Sequence, residues 1–146
     1  MQIKELGHVV LYVSNLEHSA NFYKNTLGFR EISRSNGTAL FSSGRTHHEL
    51  LLIAIRGTPK HTQFPETGLY HIGFKIGNSA EDIQEAYKEL IENGVTIVGT
   101  GDHHITHSIY ILDPDGNELE LYADVSDDWK KDPSAIMTPV KPLNLT

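Results

Sequence analysis

The sequence contains no cysteine among its 146 residues. Disulfide bridges, zinc ribbons, iron–sulfur clusters and thiol nucleophiles are therefore excluded, and any bound metal would be held by nitrogen and oxygen atoms. No apolar run approaches the roughly 20 residues of a membrane-spanning helix, and residues 1–5 lack the hydrophobic segment of a signal peptide. We therefore expect a cytoplasmic protein with no membrane partner.

Basic residues are also scarce. Lysine and arginine total 12 against 19 aspartates and glutamates, which gives a formal net charge of −7. This acidic balance argues against nucleic acid as a partner, because phosphate backbones attract cationic surfaces. The hydrophobic fraction of 38% is near ordinary globular usage, and the length predicts a single domain over residues 1–146.

The chain does contain an internal repeat. Residues 7–15 align with residues 70–78 without a gap, and each aligned segment reads as a strand followed by a helical pattern. Each helical pattern ends at a glycine, Gly28 or Gly94, where a left-handed cap would stop a helix. Ser79 is a suitable N-cap for the second helix. Three short β-like runs then follow in each half.

This order of elements predicts an α+β fold of two βαβββ modules in tandem. Module one covers about residues 5–56 and module two about residues 68–124. We expect the modules to form a curved mixed sheet around a metal-binding cleft, with the helices outside. Residues 125–146 contain three prolines and no clear periodicity, which predicts an extended C-terminal tail that packs on a neighbour.

Two of the nine histidines open the repeated strands. Because side chains alternate along a strand, His8 and His71 lie opposite the apolar stripes of their strands. Either Glu118 or Glu120, in the last predicted strand, projects away from the apolar face in the same way. A pseudo-twofold axis between the modules would bring both histidines and one carboxylate to the cleft. Such a set matches the facial triad, which leaves metal positions open for substrate and oxygen.

Several segments resemble the vicinal oxygen chelate superfamily. They are the helix exit over residues 21–29 and the Asp-Pro-Asp-Gly-Asn turn of residues 113–117 that leads to Glu120. The resemblance covers about residues 5–124. The superfamily includes glyoxalase I, fosfomycin-modifying thiol transferases, antibiotic-sequestering proteins and type I extradiol ring-cleaving dioxygenases. Because one fold serves all of these, the site residues must decide among them.

Residues 101–120 are similar to the signature of extradiol dioxygenases of the catechol 2,3-dioxygenase branch. They hold a glycine-spaced histidine, an apolar residue followed by tyrosine, and an acid-proline-glycine turn before a glutamate. The resemblance implies Fe(II), with Mn(II) as the other candidate, bound by His8, His71 and Glu120. It also implies a small aromatic diol and O2 as substrates, a role in aromatic catabolism, and a homodimer or higher homo-oligomer.

The same resemblance assigns roles to three further residues. His103 and Tyr110 would hydrogen-bond a substrate hydroxyl or its anion, and His48 would act as acid and base near neutral pH. An apolar wall around the ring is expected from Phe41, Leu50, Leu52 and Phe64.

Two other classes of protein stay open. A glyoxalase-like lyase or a fosfomycin-transferase-like enzyme would use the metal to polarise a substrate oxygen without redox chemistry. Glu49 is the candidate for the fourth ligand that a glyoxalase requires. The other class is a metal-free protein that binds an aromatic ligand or antibiotic, which would need neither the histidine pair nor Glu120.

Overall fold

The computed structural model describes residues 1–58 and 67–145. The chain forms two compact units, unit 1 from Met1–His61 with Pro114–Gly116 and unit 2 from Thr62–Asp113 with Asn117–Thr146. Each unit contains a strand, a helix and three further strands, so the predicted α+β fold of two tandem βαβββ modules is confirmed. No helix in the described ranges is both long enough and apolar enough to cross a membrane.

Unit 1 is a four-stranded sheet with one helix. Its elements are β1 (Val9–Val13), α1 (Leu16–Asn21), a π-helix that continues α1 (Phe22–Thr26), β2 (Arg30–Ser35), β3 (Thr38–Ser42) and β4 (Leu50–Ala54). The strand order is β1-β4-β3-β2, and the sheet is mixed because β1 pairs with β4 in parallel. Asn15 caps α1 by accepting from the His18 backbone N–H, and Gly28 follows the π-helix at φ +73°.

The hydrophobic core of unit 1 lies on one face of its sheet. Leu11 and Val13 of β1 are buried there together with Tyr23 of the π-helix. The three described members of the predicted ring-binding wall are also fully buried in this core, which corrects that expectation; they are Phe41, Leu50 and Leu52. The fourth, Phe64, lies outside the described residues. Strand alternation places these side chains toward the core, away from the face that carries His8.

Asp115 belongs to unit 1 through its turn, Pro114–Gly116. The residue is 8% exposed, and its carboxylate accepts from the backbone N–H of Ser14 at 3.0 Å and from the hydroxyl of Ser19 at 3.2 Å. Ser19 lies in α1 and is fully buried. Because an anion near a helix N-terminus is favoured by the helix dipole, Asp115 stabilises the start of α1.

We expect Asp115→Ala to lower the free energy of unfolding by about 2 kcal/mol, because it leaves a buried hydroxyl and a part-buried backbone N–H without their acceptor. The donors in question are the Ser14 N–H and the buried Ser19 hydroxyl. Urea unfolding followed by circular dichroism measures the change. Glu85→Ala, at an exposed position of the helix Ala80–Glu92, is the control and should shift the free energy of unfolding by less than about 0.5 kcal/mol. Equal midpoints for the two variants would show that Asp115 contributes nothing.

Unit 2 repeats the arrangement. Its elements are β5 (His71–Gly77), α2 (Ala80–Glu92), β6 (Ile97–Asp102), β7 (Thr106–Leu112) and β8 (Glu118–Asp124), in the sheet order β5-β8-β7-β6. Again the first and last strands of the module pair in parallel. Ser79 is the N-cap of α2, as predicted, and the structure adds a capping box with Asp82. Gly94 follows the helix at φ +68°.

The C-terminal tail is not extended throughout, contrary to the expectation from its prolines. It contains two 3₁₀ turns, Asp128–Lys130 and Pro133–Met137. Beyond them, Lys141 forms an antiparallel bridge with Asp102 of β6, with both backbone hydrogen bonds at 2.9 Å. The tail therefore packs against its own unit.

Candidate metal centre

The polar face of the unit 2 sheet carries most of the predicted site residues. Leu119 and Leu121 of β8 are buried in the core, so Glu118 and Glu120 project to the other face. The parallel register pairs His71 with Glu118 and places Gly73 beside Glu120. A Cβ on Gly73 would lie 3.5 Å from Glu120 Oε2. A side chain larger than alanine at this position would therefore crowd the carboxylate.

His71 and Glu120 lie in direct contact, with Nε2 3.2 Å from Oε2. Two ligand atoms that each lie about 2.1 Å from a metal and at right angles to each other are about 3 Å apart, so the pair has the spacing of adjacent ligands. His71 Nδ1 is the one buried side-chain polar atom in residues 1–58 and 67–145 with no hydrogen-bond partner. Glu118 Oε1 is 3.9 Å from this nitrogen. Of the two candidate carboxylates, the geometry favours Glu120 as the partner of Nε2.

The second oxygen of Glu120 is fixed by two hydroxyl groups. Oε1 accepts from Ser108 Oγ at 2.7 Å and from the Tyr110 hydroxyl at 3.2 Å. Ser108 is fully buried and was not predicted as a site residue. Its position two residues before Tyr110 in β7 places both on one face, and that spacing was the available signal. These bonds hold Glu120 with Oε2 turned toward His71.

Tyr110 links Glu120 to His103, whose Nε2 lies 2.8 Å from the phenol oxygen. Burial, and then the charge of Glu120, raise the pKa of Tyr110 to about 12. The phenol is therefore protonated near neutral pH and donates to Glu120, because a carboxylate can only accept. Since the Tyr110 proton points to Glu120, the phenol oxygen can only accept from His103. His103 therefore carries its hydrogen on Nε2 and donates it to Tyr110.

Three imidazoles gather separately in unit 1. The ring centroids of His8 and His48 are 4.6 Å apart, and Nδ1 of His47 lies 2.6 Å from Nδ1 of His48. Burial lowers the pKa of His48, and the charges of His47 and His8 lower it further. His48 is therefore neutral over more of the physiological range than an ordinary histidine, and able to accept a proton.

Glu49, the candidate for a fourth glyoxalase-type ligand, is engaged by its own loop. Its two oxygens accept from the backbone N–H groups of Ser43 at 2.8 Å and Thr46 at 3.0 Å. Arg45 Nε lies 3.6 Å from the same carboxylate. Recruiting Glu49 to a metal would break these bonds, so its role is to shape the loop before β4.

Within each unit, no three histidine, aspartate or glutamate side chains of the described residues are arranged so that they could hold one metal ion, and this includes the three imidazoles of unit 1. Unit 2 brings together His71, Glu120, Tyr110 and His103, and unit 1 brings together His8 and His48. The predicted three-ligand set draws on both units, and it stays a prediction.

Comparisons with known proteins agree with the fold. The family model of the Glyoxalase/Bleomycin resistance protein/Dioxygenase superfamily matches residues 5–121. A catechol-2,3-dioxygenase of Bacillus subtilis (strain 168) is 34% identical over 132 residues, which are 87% of this chain and 44% of that protein. The metallothiol transferase FosB of Lysinibacillus sphaericus (strain C3-41) is 30% identical over 125 residues, 84% of either chain. A glyoxalase/dioxygenase structure from Nostoc punctiforme superposes with a TM-score of 0.69 at 21% identity, over 84% of this chain and 92% of that one.

Proposed function

Because the chain belongs to the glyoxalase/bleomycin resistance protein/dioxygenase superfamily, which includes metalloenzymes, we propose that it is an Fe(II)-dependent extradiol dioxygenase. The reaction would insert both atoms of O2 into a catechol-type aromatic diol, beside its two hydroxyl groups. The observation that carries the proposal is the contact of His71 with Glu120 next to the Tyr110–His103 pair. This face offers two metal ligands and, beside them, groups able to bind a phenolic oxygen.

The proposed ligands are His8, His71 and Glu120. Their nitrogen and oxygen donors suit Fe(II) and also Mn(II). A bound Fe(II) would supply a Lewis acid for the diol and a path for its electrons to O2. Ser108 supports the ligand set by fixing Glu120 Oε1, which keeps Oε2 turned toward His71, where the metal would bind.

Tyr110 and His103 would bind the substrate oxygen. Tyr110 keeps its proton because its pKa is raised to about 12. When substrate binds, its hydroxyl would turn from Glu120 Oε1 and donate to a diol oxygen that carries negative charge, while Ser108 keeps its bond to Glu120. His103, donating to the phenol oxygen, orients that hydroxyl and strengthens it as a donor. His48, kept neutral by its lowered pKa, would accept a proton during ring cleavage and return it afterwards.

A metallothiol transferase is the second candidate. The chain spans less than half of the similar catechol dioxygenase but 84% of the similar FosB protein. The same three ligands would serve that reaction. A glyoxalase-type lyase has weaker support. Glu49 would have to be its fourth metal ligand, but both oxygens of the Glu49 carboxylate already accept hydrogen bonds from backbone N–H groups.

Substrate assays with defined metal content separate the candidates. Protein purified without oxygen and loaded with Fe(II) should hold about one iron per chain, consume O2 with catechols and form a yellow ring-opened semialdehyde. A His18→Ala variant, changed at an exposed position of α1, should behave identically. A thiol adduct of fosfomycin without oxygen uptake would assign the transferase reaction instead. Tight binding of an aromatic ligand by protein that takes up no metal would assign a binding protein.

A further inference from the structure

An open cleft of about 370 Å³ lies on the polar face of unit 2. We call it the tail cleft, and its lining residues are Ile105, Thr106, Glu120, Tyr122, Asp124, Trp129 and Ile136. Glu120, the proposed metal ligand, contributes to it, and so do two residues of the C-terminal tail. The tail cleft therefore runs from the proposed metal centre to the tail.

The tail supplies the apolar wall. Trp129 and Ile136 lie on the two 3₁₀ turns, and they are 44% and 45% exposed. Ile105 adds a buried aliphatic side chain to the same lining. Half-exposed large apolar side chains that surround a concavity are typical of ligand sites, because a ligand completes their burial.

The wall is held in place by bonds further along the tail. The backbone of Lys141 pairs with Asp102, and the hydroxyl of Thr100 donates to the carbonyl of Leu143 at 2.8 Å. Asp132 caps the second turn by accepting from the Ser134 N–H at 2.9 Å. These bonds fix the turns against β6, so the tail cleft is formed before a ligand binds.

The charge of the lining limits which ligands fit. Its ionisable carboxylates are Glu120 and Asp124, and none of the described lining residues is basic. Two ammonium groups lie near the lining, and each is already paired with a carboxylate. Lys75 is paired with Asp124, and Lys130, whose Nζ is 5.8 Å from the Trp129 ring, is paired with Asp127 at 2.8 Å. An anionic ring substituent would lose its hydration without gaining a cationic partner, whereas an alkyl or aryl group would bury the exposed faces of Trp129 and Ile136.

We propose that the tail cleft is the subsite for an uncharged apolar substituent on the substrate ring, and that Trp129 and Ile136 determine this specificity. The inference rests on the proposed function and names its substrate class: alkyl- or aryl-substituted catechols, and not catechols that carry a carboxylate. A volume of about 370 Å³ is near the lower limit of small-molecule sites, which suits a single ring with a short substituent.

Trp129 provides a direct readout because it is the only tryptophan of the sequence. Under anaerobic conditions, titration with 4-ethylcatechol should change its fluorescence, and 3,4-dihydroxybenzoate at the same concentrations should not. Ile136→Ala should weaken the 4-ethylcatechol response. Met137→Ala is the matched control, since Met137 is 81% exposed on the same turn and does not line the tail cleft.

Kinetics of the iron-loaded protein give the second readout. The ratio of kcat/KM for 4-ethylcatechol over catechol should fall about tenfold in Ile136→Ala, the usual effect of removing apolar contacts from a substrate pocket, and stay constant in Met137→Ala. Ile136→Arg should raise the relative rate with 3,4-dihydroxybenzoate. Circular dichroism confirms that the variants are folded.

The outcomes separate this inference from the proposed function. A fluorescence response to 4-ethylcatechol that Ile136→Ala weakens supports the tail cleft as a binding site. If no oxygen is consumed in the same protein, the dioxygenase proposal is wrong while the tail cleft is still supported. Ring cleavage with an unchanged substrate ratio in Ile136→Ala and no fluorescence response overturns the tail cleft and leaves the dioxygenase proposal standing.

Discussion

His71→Ala is expected to abolish tight metal binding. The substitution removes one of three proposed ligands, while Ser108 and Tyr110 still hold Glu120 in place. Loss of a residue that merely supports a ligand costs about 10- to 100-fold in metal affinity, so loss of the ligand itself should cost at least about 100-fold. Metal content after anaerobic dialysis, measured by mass spectrometry, and titration with Fe(II) test the expectation.

Glutamine substitutions provide the matched control for this centre. Glu118→Gln and Glu120→Gln change neighbouring positions on one strand face and keep the side-chain shape. Only Glu120→Gln should lower metal affinity, because Glu120 Oε2 lies 3.2 Å from His71 Nε2 and Glu118 Oε1 lies 3.9 Å from Nδ1. Full iron occupancy in His71→Ala, or loss of iron in Glu118→Gln alone, would show that the proposed ligand set is wrong.

His48→Ala is expected to retain iron and to lower kcat by about 10²- to 10⁴-fold, the range for loss of a general acid–base group. The imidazole must be neutral to accept a proton, so the rate should fall as the pH drops through its pKa. Because burial and the neighbouring histidines lower that pKa, the fall of kcat on the acid side of the pH profile should occur below the pH at which an ordinary histidine titrates. In His48→Ala this acid-side fall of kcat should disappear.

Two measurements keep the His48 experiment decisive. Iron content should equal that of the parent protein, which separates a proton-transfer defect from disturbance of the neighbouring His8 ring. His104→Ala changes a histidine with a 51% exposed side chain and should leave both kcat and the pH profile unaltered. A parent-like kcat in His48→Ala would remove His48 from the mechanism.

Local features of the fold could be predicted because they depend on short stretches of sequence. Strand alternation correctly separates Leu119 and Leu121 from Glu118 and Glu120, since side-chain direction in a strand follows from position alone. The helix ends at Gly28 and Gly94 were predictable for a similar reason: both residues adopt a positive φ that favours glycine.

The rest of the candidate site depends on register and on distant segments. The choice between Glu118 and Glu120 requires the parallel pairing of β5 with β8, which no local pattern encodes. Ser108 becomes relevant only once β7 lies beside β8. The proposed wall of Trp129 and Ile136 comes from a tail with no periodicity, whereas the wall predicted from Phe41, Leu50 and Leu52 is core.

The position of Asp115 has a consequence for synthesis on the ribosome. The first module ends near residue 54, yet the acceptor for the Ser14 N–H and the Ser19 hydroxyl is translated about sixty residues later. In the nascent chain, these two donors at the start of α1 therefore lack the Asp115 carboxylate until most of the second half has emerged from the ribosome. A gene cut between the two halves would yield an N-terminal fragment in which the Ser19 hydroxyl never finds this partner, so expressing the halves separately is a poor route to an independently stable module.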